Sequence, residues 1–509
     1  MRLRIDRAGT EPFRSLFTVA AWALIWEALA VLPFTRTLIP SPVSITAEVV
    51  DSFASWAPHW GSTMTRSLIS LVISALLAAL LSAFVVLVPR VKFILLALAA
   101  AFSFPLVILV PLSTILVESD VVPIVIAVAS CFFPMLFQFW QGMQEVDRVW
   151  LDLGIINNSS GIATMRHVRL PASIPSFLAG LEAALPAVFL GTMLGELAGP
   201  RWGLGVYLVS TLSTGSAIKA GAVTAICVVS TLVPFLVALI VRRRVGVIRG
   251  VSAVPLDDGL RWLRQQASLR DGFAALCFGV LFWWAAELVS SNTYFFKGPL
   301  ATARYLLVDG DIWLAFGASA RTAIQGLVVG VLFAALLAFG STLIPVLRTF
   351  LLGPLLISQS TPIVALVPLL AILLGRGAGI EMAITVSASF FPCLLVFQHA
   401  LGSTPKILLD VGIAVGAPRW TLLRLIRLPA STAQLLGGVR LAAQRAFLGA
   451  LLAEYVATRN GLGGLVYDSR GRLEFQPIWA AALLCVLASQ AIDMTVRLLV
   501  LRWPAADLR

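Results

Sequence analysis

The sequence predicts an all-α, polytopic membrane protein made of two tandem six-span halves, about 12 transmembrane helices in all. Composition, an internal repeat and the placement of basic residues predict it. Of 509 residues, 59% are apolar and 12% charged, and the mean hydropathy is +0.95. Spans of about 20 residues would absorb about 240 positions, more apolar sequence than any soluble core of this length requires. A soluble enzyme and a disordered chain are therefore excluded, and the alternation of an outer-membrane barrel is absent.

Apolar stretches of spanning length occur at roughly 17–34, 64–88, 93–117, 121–143, 172–195 and 219–241. They make a first domain over residues 1–241. A polar segment at 242–271 reads as a linker, and the pattern resumes at roughly 272–290, 321–345, 348–375, 380–402, 430–453 and 476–501, a second domain over 272–509. Arg2, Arg4, Arg7 and Arg14 precede the first stretch without a convincing cleavage site, which predicts a retained first span. The five cysteines lie singly in apolar runs, so neither a disulfide framework nor a zinc site is expected.

The halves repeat in sequence as well as in hydropathy. A shift of 258 aligns Pro134–Gly205 with Pro392–Gly463 without gaps: Leu151-Asp152 on Leu409-Asp410, Arg169-Leu170-Pro171-Ala172 on Arg427-Leu428-Pro429-Ala430, Glu196 on Glu454, and Gly203-Leu204-Gly205 on Gly461-Leu462-Gly463. Earlier spans align with a slightly smaller shift, Pro105 and Pro111 with Pro362 and Pro368, and Arg66 with Arg321. These prolines, with Pro134 and Pro392, are expected to set kinks.

With the N-terminus placed in the cytoplasm, 24 of the 37 lysines and arginines fall on the cytoplasmic side, 11 fall outside, and Arg440 and Arg445 lie within a span. This satisfies the positive-inside rule and puts both termini in the cytoplasm. It also accounts for the net charge of +12, and no nucleic-acid partner is needed. Six spans per half give both halves one orientation, about a pseudo-symmetry axis along the membrane normal.

Between spans four and five of each half lies a polar stretch on the basic side, 145–171 and 404–429. Each shows apolar residues at helical spacing, a break at Asn158 or Gly416, a second short amphipathic piece, and Leu-Pro at the start of the next span. Glycine, and less readily asparagine, accepts the left-handed backbone of a helix-turn-helix break, and proline suits a first helical turn. Two short helices on the membrane face are predicted, with the prolines fixing their angle to the span.

This stretch resembles the EAA loop of the membrane subunits of bacterial ABC importers: Glu-Ala-Ala, three residues, Gly, nine residues, then Ile-x-Leu-Pro. Asp410-Val411-Gly412, Gly416 and Ile426-Arg427-Leu428-Pro429 occupy the pattern in the second half, and Asp152-Leu153-Gly154, Asn158 and Val168-Arg169-Leu170-Pro171 in the first. Trp26-Glu27, Leu38-Ile39-Pro40-Ser41-Pro42 and the two Gly-Leu-Gly triplets resemble the nitrate, sulfonate and taurine branch, usually separate six-span chains that pair. The resemblance implies two fused type I permease domains in a bacterial cytoplasmic membrane. It implies a pathway for a small, anionic organic or inorganic solute delivered by an extracytoplasmic binding protein. Asp152, Gly154, Asn158, Pro171, Asp410, Gly412, Gly416 and Pro429 would contact two copies of an ATP-binding cassette subunit. No P-loop pattern occurs, so ATP and magnesium are expected on those partners, with no cofactor, metal or catalytic residue in this chain.

Charges within spans are costly and face a partner or a watery path. Arg440 and Arg445 lie about 16 and 24 Å beyond Pro429 along a helix, which predicts one near mid-depth and the other in the outer half. The shift sets Glu182 against Arg440 and Ala187 against Arg445. Glu182 and Arg440 are read as a pair across the axis, with Arg445 left to attract an anion, against the alternative that all three snorkel or satisfy helix carbonyls. Glu196, Gly203 and Gly205, with Glu454, Gly461 and Gly463, form either an outer gate or a helix end followed by a turn. The outer segments 36–63 and 291–320 contain amphipathic stretches that suit a binding protein or the membrane surface. The competing reading is an ion-gradient-driven secondary transporter of the six-plus-six kind. It explains the span count but not the duplicated Leu-Pro loops, and the acidic candidates Glu27, Glu182, Glu287 and Asp493 are few.

Overall fold

A computed structural model describes residues 20–32, 40–101, 106–146, 148–249, 269–289, 294–375 and 377–501. The N-terminal arginines, Arg36 to Ile39, Pro105 and most of the expected linker lie outside these residues. Among the described residues all regular structure is helical. The first half runs α1 (Ala20–Val31), α2 (Pro42–Asp51), α3 (Phe53–Leu87), α4 (Phe93–Ala101), α5 (Leu106–Leu116), α6 (Val122–Gln144), α7 (Arg148–Ile156), α8 (Gly161–Thr164), α9 (Ile174–Glu196), α10 (Leu204–Thr214) and α11 (Ala217–Arg249). The second repeats it: α12 (Leu269–Val289), α13 (Pro299–Val308), α14 (Asp311–Leu343), α15 (Pro345–Ser360), α16 (Val367–Leu374), α17 (Ala378–Gly402), α18 (Lys406–Ala414), α19 (Arg419–Leu422), α20 (Leu428–Ala453), α21 (Gly461–Gly471) and α22 (Phe475–Leu501). Among the described residues eight helices, α3, α6, α9 and their counterparts among them, are long and apolar enough to cross a membrane, and shorter apolar helices supplement them.

Each half is centred on three packed helices, α3–α6–α9 and α14–α17–α20. Close approach is possible because α3 buries a stripe of small residues: Thr63, Ser67, Ser70, Ser74, Ala78, Ser82 and Val85. The stripe on α14 has the same spacing: Ser319, Ala323, Gly326, Gly330, Ala334, Ala338 and Ser341. Small residues let backbones meet where lipid supplies no hydrophobic drive between helices. Their hydroxyls bond neighbouring carbonyls, Ser82 Oγ to Leu136 O at 3.1 Å and Ser389 Oγ to Gly326 O at 3.1 Å. Leu68, Val72, Leu76 and Leu80 cover the outward face of α3.

The stripes correct the register of the repeat. Residue by residue they match at a shift of 256, so the counterpart of Arg66 is Thr322, and Arg321 matches Thr65. The expected ninth span also differs: it is two shorter helices, α15 and α16. The cause is Pro362, which holds Thr361 extended (ψ 119°) and ends α15. The first residues of the expected linker continue α11 to Arg249.

The halves exchange elements reciprocally. α5 packs on α21 and α22, and α16 on α10 and α11. α12 lies on α4, and Trp22 of α1 stacks on Phe350 of α15 with ring centroids 4.4 Å apart. Trp26 Nε1 donates to Pro40 O at 3.1 Å and Trp283 Nε1 to Lys297 O at 3.0 Å, so each first helix is tied to the segment leading to α2 or α13.

Gly191 shows how tight the α6–α9 contact is: a Cβ there would lie 2.3 Å from Ser130 Oγ and 2.8 Å from Ala127 Cα. Gly191→Ala is expected to destabilise the chain by about 1–3 kcal/mol, read as a lowered melting temperature in detergent. Gly61→Ala, with nothing within 4 Å, is expected to leave it unchanged.

Candidate functional site

Three groups of residues singled out by the sequence occupy distinct places along α9 and α20. At one end lie the loops. α7 ends in a turn at Asn158 (φ 50°), and α18 ends at Gly416 (φ 71°), so both breaks are left-handed as the sequence predicts. Ser160 caps α8, its Oγ accepting Ala163 N–H at 3.2 Å. The second piece does not lie as a separate helix. It continues into the span through a π turn, Met165–Arg169 or Leu423–Arg427, closed by Leu170 N–H to Met165 O and Leu428 N–H to Leu423 O. Pro171 and Pro429 follow at once, and a proline has no N–H for the carbonyl four residues back. The widened turn accommodates it, and loop and span run on as one rod in the second half, whereas a turn at Ser173 interrupts the helix before α9 in the first.

Asp152, Pro171, Asp410 and Pro429 are exposed. Around them Trp150, Ile156 and Ile162 in the first loop, and Ile407, Val411, Val415 and Trp420 in the second, are all more than half exposed. Contiguous exposed apolar side chains of this kind mark a docking surface. The loops differ inside. A Cβ on Gly412 would meet Leu422 Cδ2 at 2.4 Å and Ile426 Cδ1 at 2.8 Å, whereas one on Gly154 would meet Thr164 Oγ1 at 3.4 Å.

Along the rods stand the charged residues. Glu182 does not pair with Arg440 as expected; both of its carboxylate oxygens take the guanidinium of Arg242 on α11. Arg242 stands just past the apolar part of α11, so Glu182, and by the repeat position 440, sits toward the loop end rather than at mid-depth. Arg445 lies five residues further along α20.

At the far end Glu196 is buried and makes a clasp. Its Oε1 accepts Thr63 Oγ1–H at 2.7 Å, and its Oε2 accepts Gly205 N–H at 2.7 Å, while Thr63 Oγ1 accepts Leu204 N–H at 2.8 Å. The second half repeats this: Ser319 Oγ–H to Glu454 Oε2 at 2.7 Å, Gly463 N–H to the same oxygen at 2.9 Å, and Leu462 N–H to Ser319 Oγ at 2.8 Å. A carboxylate thus caps the N-terminus of α10 and of α21, where unpaired amides and the helix dipole favour negative charge. Gly203 (φ 152°) and Gly461 (φ 59°) stand so close that a Cβ would lie 2.2 and 2.6 Å from the carboxyl carbons.

Sequence reading missed Thr63 and Ser319, which align only at the shift of 256. It also missed the asymmetry around them. Arg66 reaches Glu196 Oε1 at 3.5 Å, Asp120 Oδ1 at 3.0 Å and Trp202 O at 2.6 Å; Thr322 stands in its place in α14. In the second half Arg470 donates to Tyr455 Oη at 3.3 Å and to Ala198 O of the first half at 2.8 Å, tying the halves together.

Glu196→Ala leaves the Gly205 amide unpaired and takes one partner each from Thr63 and Arg66, with an expected cost of about 1–3 kcal/mol. Arg66→Ala is expected to lower the melting temperature and Thr322→Ala to leave it unchanged. Equal losses would contradict the register and the asymmetry.

Comparison with known proteins agrees with this geometry. The family described as binding-protein-dependent transport system inner membrane component matches twice, over residues 74–246 and 326–503, together more than half of the chain. A probable ABC transporter permease of Haemophilus influenzae is 29% identical over 212 residues, 42% of this chain and 86% of that protein. The riboflavin transport system permease of Chloroflexus aurantiacus is 35% identical over 153 residues, 29% of this chain and 57% of that protein. The taurine transport system permease of Escherichia coli is 24% identical over 249 residues, 47% of this chain and 90% of that protein. The chain belongs to the family of binding-protein-dependent transport system inner membrane components, and carries the family's domain twice in one polypeptide.

Proposed function

We propose that this chain is a transmembrane subunit of an ATP-binding cassette importer in a bacterial cytoplasmic membrane, with both termini and both loops in the cytoplasm. The observation that carries this is the duplicated loop: two exposed apolar elbows, each leading through a π turn and proline into the central helix of its half, without a break in the second half and past a turn at Ser173 in the first. Two copies of a separate ATPase subunit, which bind and hydrolyse Mg-ATP, dock on α7–α8 and α18–α19. Their closure pushes the elbows, and α9 and α20 transmit the push to the clasps, which act as the outer gate. Coupling of this kind typically amounts to 1–3 kcal/mol, and a stiff rod anchored at both ends delivers it over the length of a span.

An extracytoplasmic binding protein delivers the solute to the clasp end, near α2, α10, α13 and α21. The solute is small and anionic, like a sulfonate, taurine or nitrate. Supporting this, the pathway helices carry Arg440 and Arg445, and Glu182, the acidic counterpart of Arg440, is engaged by Arg242. The taurine permease is a relative that shares almost its full length with this chain.

In proteoliposomes holding the chain, its ATPase and its binding protein, uptake is expected to require ATP. Uptake by the chain alone, driven by an ion gradient, would overturn the proposal. Gly412→Leu splays the tighter elbow, and with Gly416→Val it is expected to reduce ATPase stimulation by the loaded binding protein at least about fivefold. Gly154→Leu and Asn158→Val are expected to do less, and equal effects would contradict unequal docking.

A further inference from the structure

Arg445 has two properties that rarely occur together. Its side chain is exposed, yet it lies deep among protein atoms. A side chain projecting into an internal, solvent-accessible space has both; one facing lipid or packed in a core does not. Its helix neighbours fix the direction. Ala442, Ala446 and Ala450 are buried, and Gly449 approaches α17 so closely that a Cβ would lie 2.7 Å from Ala388 Cβ. Arg445 stands on the flank of that packed face, one turn from the half-buried Leu441. In α9, Ala183, the counterpart of Leu441, is exposed, one turn from the half-buried Ala187 that stands at the level of Arg445.

Arg445 is also alone. Glu182, Glu196, Glu381, Arg440 and Glu454 all have partners, whereas among the described residues Arg445 has neither a hydrogen bond nor an ion pair. An unpaired guanidinium at this depth carries five donors and a full charge, and its cost is offset when an anion or water fills the space.

We infer that Arg445 is an anion-recognition site within the translocation pathway, present in the second half alone because Ala187 stands at its counterpart. This rests on the permease reading above and deepens it. The guanidinium geometry suits a sulfonate or carboxylate head, held by two parallel N–H···O bonds. One such group gives a one-sided site: it favours entry of an anion without a second arginine opposite that would hold it too tightly for release.

The test uses the full chain assembled with its ATPase in nanodiscs, the five native cysteines replaced and Leu441→Cys introduced as a reporter beside Arg445. The rates of reaction with an anionic reagent, 2-sulfonatoethyl methanethiosulfonate, and a cationic one, 2-(trimethylammonium)ethyl methanethiosulfonate, are compared. The anionic-to-cationic ratio is expected to fall about tenfold or more when Arg445→Ala is added, and to be largely kept in Arg445→Lys. An unchanged ratio, or no reaction with either reagent in a complex that still hydrolyses ATP, would overturn the site. Retained ATPase stimulation in that case leaves the permease reading standing, whereas its loss in the otherwise unaltered complex strikes the permease reading itself.

Discussion

A carboxylate buried at the end of a membrane helix must be met by hydrogen bonds or it destabilises the fold that holds it. Glu196 and Glu454 meet this constraint by capping the next helix. Each satisfies first-turn amides of α10 or α21, and each recruits a hydroxyl from the first long helix of its half. Three elements are therefore joined at a point: the central helix, the helix after it, and α3 or α14. The glycines follow from this, since any side chain at 203 or 461 would occupy the carboxyl group's place. The far end of α9 and of α20 is thereby fixed to its neighbours.

Fusion of the halves has let them diverge where a symmetric pair could not. The elbows and clasps kept their backbone geometry: left-handed breaks, π turns, and carboxylate-to-amide bonds recur at matching positions. The charged side chains around them did not. Arg66 braces one clasp and is absent from the other, Arg470 ties the second half to Ala198 of the first, and Glu182 and Arg440 occupy equivalent positions with opposite charge.

What the sequence made legible is what depends on local chemistry. Gly416 and Asn158 announce a left-handed break, and the shift of 258 identifies the two halves. What it hid depends on three-dimensional neighbours. The stripe of small residues along α3 carries little hydropathy signal, so Arg66 was aligned to Arg321 by letter, one residue away from the packed register that sets it against Thr322. Glu182 was matched to Arg440 because the repeat set them at one position, but ion pairs form with whatever guanidinium is within reach, and α11 brings Arg242 there. The division of the ninth span is equally hidden: hydropathy runs smoothly across the break, and the backbone turns there because Pro362 forbids Thr361 the helical region.

The same reasoning explains why Arg445 stands out. Glu182, Glu196, Glu381 and Glu454 are absorbed into the scaffold, by a clasp, a helix end or a neighbouring helix. Scaffold charges are held by groups that do not leave, and they cannot also serve a solute that must arrive and depart. A charge kept open inside the protein contributes nothing to folding and costs free energy for as long as the space is empty. Such a residue is retained where its partner comes from outside the chain, so the unpaired position, more than the paired ones, marks where the solute passes.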